Sequence, residues 1–339
     1  MLTLTRLRPA ACQAVMPGAL TAGTIALAAT FISEHYGGPQ LLYALFFGMA
    51  FNFLAGDARI QPGIDFVARR LLRFGVALLG ARITIGQVGA LGVGPVVLVV
   101  FATVATIAFG AFLGKRLTRS TSEGLLTGGA VGICGASAAL ALSAAMPRNA
   151  QNQRFTLLTV VGVTALSTLA MILYPAIARL LGLDTTAAGI FFGGTIHDVA
   201  QVVGAGAMVS PEAADTATVV KLLRVALLVP AVMVFSLIYR GQKGQARATE
   251  RPPLLPAFLV GFIALVALNS TGVVSHEVSG ALSQVSRWCL VAAIAGLGVK
   301  TSFQQLAALG WRPVALMVGE TVFLAALNLG GIVLLQRWG

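Results

Sequence analysis

The residues best suited to chemistry lie in two glycine-rich stretches. One reads Gly193-Gly194-Thr195-Ile196-His197-Asp198-Val199-Ala200-Gln201. Each helical residue turns about 100°, so a helix through this stretch would gather His197, Asp198 and Gln201 within about 100° of arc. An imidazole beside a carboxylate can pass protons near neutral pH, and the set can also bond a polar ligand. The other stretch is Thr127-Gly128-Gly129-Ala130-Val131-Gly132-Ile133-Cys134-Gly135-Ala136-Ser137. Its chemistry would come from the main chain. Glycine permits irregular backbone, and the freed amides at the start of a half-helix can hold an anion. Thr127 and Ser137 would add hydroxyl donors. Simpler readings stand beside these. Gly128, Gly132 and Gly135 share a helical face and suit close helix packing. Cys134 alone suits a small buried hydrophobe. The His-Asp-Gln group also fits a self-satisfied cluster or a helix end at an interface. No serine-nucleophile motif, His-Glu-x-x-His or Cys-x-x-Cys accompanies them, so an enzyme is not expected.

Three charged residues complete the set. Lys221 and Arg224 are three apart, hence on one helical face, near the start of an apolar segment. They would attract an anion or extend their heads to an interface. Glu320 falls well inside the last apolar segment. It reads as a coupling carboxylate, a partner for a buried base, or a residue of a watery vestibule.

The elements that must position these residues are membrane helices. Of the 339 residues, 57% are hydrophobic and 10% charged, against roughly 25% charged in soluble domains. The net charge of +12 does not indicate nucleic acid, because the basic residues sit in short loops between apolar segments. Cys12, Cys134 and Cys289 are scattered and odd in number, which fits neither a disulfide framework nor a zinc site. No cofactor is expected. About 20 apolar residues span a bilayer, and eleven segments approach that length: 15–33, 39–56, 65–82, 91–114, 122–146, 155–180, 185–208, 216–239, 254–274, 281–299 and 309–336. The first is read as a retained helix rather than a cleaved signal. The predicted class is therefore an all-α polytopic membrane protein of about eleven helices, two of them discontinuous.

With the N-terminus inside, the cytoplasmic segments hold 16 Lys and Arg residues and the outer segments 7. This bias predicts a cytoplasmic N-terminus and a periplasmic C-terminus. The charged stretch 240–252 then forms a cytoplasmic linker between approximate halves 15–240 and 253–336. The sequence also repeats. Residues Gly80 to Val96 match Gly298 to Val314 at a constant offset of 218, with Gly, Gln, Ala, Leu, Gly, Pro and Val shared and Arg82 replaced by Lys300. Asn52 and Asn269 hold a similar register one helix earlier. The copies stand seven helices apart, and an odd separation inverts one against the other. Inverted repeats are characteristic of alternating-access transporters.

Four ordered runs carry a resemblance: Gly-Gly-Ala-Val-Gly-Ile-Cys-Gly-Ala-Ser-Ala at 128–138, His-Asp-Val-Ala-Gln-Val-Val at 197–203, Val-Lys-Leu-x-Arg at 220–224 and Gly-Leu-Gly-Val-Lys-Thr-Ser at 296–302. Together they resemble the YeiH / UPF0324 family, labelled as sulfate exporters, over about residues 15–336. The resemblance implies a bacterial inner-membrane protein that moves a small anion, sulfate or a related sulfur oxyanion or sulfonate. The expected mechanism is alternating access in a single transporter domain, with proton or sodium coupling and a homo-oligomer both compatible. The substrate-binding set is Thr127, Gly128, Gly129, Gly132, Cys134, Gly135, Ser137, His197, Asp198 and Gln201, with Lys221, Arg224 and Glu320 in electrostatic or coupling roles. The rival expectation is a cation/proton antiporter in which His197 and Asp198 carry the proton.

Overall fold

A computed structural model describes residues 9–147, 150–239, 257–301 and 310–338. Among these residues all regular structure is helical. Six stretches are long and apolar enough to cross a membrane: Gln13–Tyr36, Val93–Leu117, Gln151–Leu180, Pro211–Ile238, Glu277–Lys300 and Trp311–Arg337. Of the other predicted segments, 39–56, 65–82, 122–146 and 185–208 are assembled from shorter helices, and 254–274 holds one 14-residue helix, Ala257–Ser270. The linker 240–252, and the part of the second repeat copy that includes Gln305, Ala308 and Leu309, lie outside the described residues.

The chain forms two compact units, 1–84 with 261–302 and 85–260 with 303–339, each drawn from both sides of that linker. The first unit contains α1 (Pro9–Tyr36), α2 (Gln40–Ala50), α3 (Gln61–Asp65) and α4 (Leu72–Leu79). A π-helical turn, Phe66–Leu71, joins α3 to α4. It also holds most of α14 (Ala257–Ser270) and the long α15 (His276–Lys300). Close backbone approach explains several of its glycines. A Cβ on Gly298 would stand 2.4 Å from the Leu45 carbonyl oxygen, and one on Gly80 would stand 2.4 Å from that of Phe262. Asn52 donates to the Val299 carbonyl at 2.7 Å, and Asn269 donates to the Ile83 carbonyl at 3.2 Å. Lys300 pairs with Asp65, so the lysine placed in a loop by the sequence reading closes α15 instead.

The second unit holds α5 (Ile85–Ala90), α6 (Val93–Leu117), α7 (Thr121–Gly132), α8 (Ala136–Ala145), α9 (Ala150–Leu180) and α10 (Thr185–Thr195). It continues with α11 (Val199–Ala207), α12 (Pro211–Ala226), α13 (Leu228–Ile238) and α16 (Trp311–Trp338). Local chemistry sets the helix starts. Ser120 accepts from the Glu123 amide at 3.2 Å in the Ser-x-x-Glu arrangement of a capping box. Asp184 accepts from the Ala187 amide at 2.8 Å to begin α10. Ser210 caps α12, with Pro211 in the first turn, where its missing amide costs nothing. A core of Ala102, Ala130, Val131, Ala139, Val163, Leu166, Met317 and Leu324 packs α6, α7, α8, α9 and α16 together.

Helices α6 and α7 meet along Gly110, Gly114, Gly124 and Gly128. Small residues let membrane helices approach closely enough for extensive van der Waals contact. A Cβ on Gly124 would lie 1.9 Å from the Gly110 carbonyl oxygen, which is backbone and cannot rotate away. Gly124→Ala is therefore expected to force the helices apart at a cost of about 1–3 kcal/mol. The thermal midpoint of the purified protein, measured beside Gly23→Ala, checks this. Gly23 has open space at its Cβ position, and its substitution should leave the midpoint unchanged.

Candidate functional site

Both glycine-rich stretches are breaks between half-helices in the second unit. The first break runs from Ile133 to Gly135 and separates α7 from α8. Gly135 has φ +64° and ψ −128°, a conformation that suits glycine alone. The second runs from Ile196 to Asp198 and separates α10 from α11. The predicted shared helical face of His197, Asp198 and Gln201 therefore gives way. The helix stops at Thr195, His197 sits in the break, Asp198 is the N-cap of α11, and Gln201 lies in its first turn. A Cβ on Gly135 would stand 3.2 Å from the His197 Cβ, so the two breaks touch.

A helix that ends inside a protein leaves its last carbonyls without intrahelical partners and concentrates roughly half a negative charge there. Two cations answer both needs. Arg224 donates from Nε to the Gly132 carbonyl at 3.0 Å and from Nη2 to that of Val131 at 2.7 Å. Its Nη1 reaches the Gly193 and Ile196 carbonyls, both at 3.1 Å. Lys221 donates to the Ile133 and Ile196 carbonyls, both at 2.8 Å. One face of α12 thus ties the C-terminal ends of α7 and α10 together. The sequence reading set these cations near a helix start, in reach of an interface. They lie instead in the second half of α12, with exposures of 0% for Lys221 and 1% for Arg224. Thr103 adds a bond to the Gly132 carbonyl at 3.2 Å.

The opposite ends of the breaks differ. The half-helix that starts at Val199 is capped by Asp198, which accepts from the Ala200 amide at 2.9 Å. The half-helix that starts at Ala136 follows Gly135 and has no side-chain cap. Ser137, in its first turn, is exposed, whereas Thr127, Gly128, Gly129, Gly132, Cys134 and Gly135 are buried. The exposed Ser137 thus marks the open side of the first break. The cations lie on its buried side.

Helix α16 supplies Glu320, which the sequence singles out, together with Thr321 and Asn328, which it does not. Glu320 Oε1 stands within hydrogen-bond distance of Thr127 Oγ1, at 2.7 Å. Thr321 Oγ1 stands 3.1 Å from His197 Nε2, and Asn328 donates to the Gly194 carbonyl at 3.2 Å. Thr321 has one hydroxyl proton and directs it to the Met317 carbonyl at 2.7 Å. This accounting makes His197 Nε2 the donor to Thr321. Ser167 accepts from the Asp198 amide at 2.9 Å, and Thr168 accepts from Gln201 at 2.8 Å. Single hydroxyls in apolar helices carry little sequence signal. Glu320 and Asn328, eight residues apart and so nearly on one face, were the available clue.

A family model described as Conserved hypothetical protein 698 matches residues 17–317. A UPF0324 membrane protein of Chlorobaculum tepidum is 54% identical over 94% of this chain and 89% of its own length. A UPF0324 membrane protein of Rhizobium meliloti is 51% identical, over 93% of this chain and 92% of its own. The UPF0324 membrane protein TauZ of Paracoccus denitrificans is 49% identical, over 92% of this chain and 93% of its own. No solved structure matches. With long apolar helices in the structure and these relatives along nearly its whole length, the chain is a membrane protein and belongs to the UPF0324 family.

Proposed function

We propose that the protein is a secondary transporter that exports a small anion, sulfate or a related sulfur oxyanion or sulfonate, by alternating access. One observation carries this reading: α8 starts at the Gly135 break with no side-chain cap from that glycine and with Ser137 exposed, at a break backed by two buried cations. A half-helix N-terminus offers unpaired amides and a positive dipole end to an anion. Broken helices are a recurring way to build such a site at membrane depth. Ser137 adds a hydroxyl, and Gly135 brings His197 and the second break alongside. Asp198 already supplies an anionic cap to α11, so the cargo belongs to the first break.

An inverted duplication within about eleven spans fits the same mechanism. The contacts of the first unit support it, because they come in reciprocal pairs. Asn52 binds the end of α15, and Asn269 binds the residue just beyond α4 and its following turn. Gly298 abuts Leu45, and Gly80 abuts Phe262, at positions offset by 218 and 217 in the chain. The bias of basic residues supports an inner-membrane protein with a cytoplasmic N-terminus and periplasmic C-terminus.

Flux of radiolabelled sulfate into proteoliposomes, with unlabelled sulfate, sulfite, thiosulfate, taurine or phosphate inside, tests the function. Saturable exchange with at least one of these anions is expected. Folded protein that exchanges none of them, or that moves cations in exchange for protons with no anion dependence, would refute it.

A further inference from the structure

Glu320 is a buried acid that the anion site does not use. It is 0% exposed and lies in the first half of α16. Its carboxyl sits where α6 and α7 cross: a Cβ on Gly110 would stand 2.5 Å from Glu320 Oε1, and Thr127 bonds the same oxygen at 2.7 Å. The other oxygen, Oε2, is buried without a hydrogen-bond partner. An ionised carboxylate seeks donors at both oxygens and is penalised heavily when buried with one of them bare. A neutral acid fits better. Thr127 has one hydroxyl proton and two kinds of acceptor in reach, Glu320 Oε1 and the Glu123 carbonyl at 3.1 Å. If Glu320 carries its own proton on Oε1, it donates to Thr127 Oγ1, and Thr127 donates to the Glu123 carbonyl. Both hydroxyl protons are then used, and no charge is left bare.

The neighbours of this acid connect it to the breaks. Thr127 precedes the first break by six residues on α7. Thr321, adjacent to Glu320, holds His197 in the second break. The charged and titratable groups nearest to Glu320 through these contacts are Glu123, one turn earlier on α7, and His197. From α6 and the rest of α7, Gly110, Gly124 and Gly128 face this crossing.

We propose that Glu320 is the proton-binding residue of the transport cycle and that this structure is its proton-loaded, closed form. This rests on the transport reading above. In the loaded form the carboxylic acid joins α16 to α7. Loss of the proton leaves a carboxylate that this pocket cannot hold, so release requires the α16–α7 contact to open to water. Ionisation and opening are thereby linked, as a ligand is linked to the conformation it favours. Each cycle binds one proton at the carboxylate and returns one, with no other bond made or broken.

Two measurements on the full-length purified protein test it. The first is infrared spectroscopy of the carboxyl stretch at neutral pH. The parent should show a protonated-carboxyl band that Glu320→Gln removes and Thr127→Val shifts, since Val cannot bond the acid. The second is sulfate flux in proteoliposomes with and without an imposed pH gradient. The gradient should accelerate the parent several-fold. Glu320→Gln cannot ionise, so it should stay closed and lose most of the exchange, and whatever flux remains should not respond to the gradient. A band unchanged in both variants, or a gradient response equal to the parent's in Glu320→Gln, overturns the proposal. Should the parent carry no sulfate, the transport reading fails by itself. The infrared arm then decides the proton site: a band lost in Glu320→Gln supports it, and a band that persists overturns it. If Glu320→Gln does not fold, the Thr127→Val shift and the gradient response of that variant, expected to be altered, serve as the same test.

Discussion

Arg224→Met should destabilise the protein more than any other single change considered. The methionine is apolar and similar in length, so it fills the space but makes none of the four donations to Val131, Gly132, Gly193 and Ile196. Hydrogen bonds from a charged donor contribute roughly 1.5–3 kcal/mol each. They do not add fully, because one guanidinium makes them all. Removing one side of a buried charged arrangement costs about 3–5 kcal/mol, and the loss is expected in that range. Lys221 would remain, holding Ile133 and Ile196 only. Arg224→Lys should fall between parent and Met variant, since an ammonium keeps the charge but cannot match the fork of a guanidinium. Denaturation midpoints of the purified variants check the order. A Met variant as stable as the parent would show that the two half-helix ends hold together without Arg224.

Ser137→Asp should abolish anion transport while leaving the fold intact. Ser137 occupies the first turn of α8, after a glycine that provides no side-chain cap. A carboxylate there would sit at the positive end of the α8 dipole and fill the seat assigned to the cargo. Acidic residues in a first helical turn stabilise by about 0.3–1 kcal/mol, so the melting midpoint should hold or rise slightly. Sulfate exchange should fall at least about tenfold, which is the effect of losing about 1.4 kcal/mol of binding. Ser137→Asn has similar size without the charge and should retain most of the flux. Equal loss in both variants would indicate a steric effect at α8 and count against an anion seat.

The two breaks were legible in the sequence because glycine marks places where helical backbone can fail. The runs Gly128 to Gly135 and Gly193 to Gln201 mark the correct segments. Periodicity could not say where each helix stops. The angular argument for His197, Asp198 and Gln201 assumed a continuous helix, and the structure ends that helix at Thr195. Lys221 and Arg224 were found by charge, but their depth was misjudged. A helix start inferred at residue 216 lies at Pro211 in the structure, where Ser210 and Pro211 provide the start signal. Nor could their partners be read from side-chain types, because every carbonyl they bind is main chain, and a helix that ends in the interior is what exposes those carbonyls. Thr321, Asn328, Ser167 and Thr168 escaped notice for a related reason. A lone hydroxyl or amide in an apolar helix usually bonds its own preceding turn, as Thr159 does with Phe155 at 2.9 Å, and only tertiary placement separates the two uses.

Under the proposed function the first break holds the cargo and opens to each side of the membrane in turn. Labelling tests it directly, with Ser137→Cys in a background where Cys12, Cys134 and Cys289 are replaced, using a membrane-impermeant thiol reagent on inside-out and right-side-out vesicles. Reaction from both sides is expected, slowed severalfold by sulfate or whichever tested anion is exchanged. Reaction from one side only, or at a rate that none of those anions changes, would contradict it.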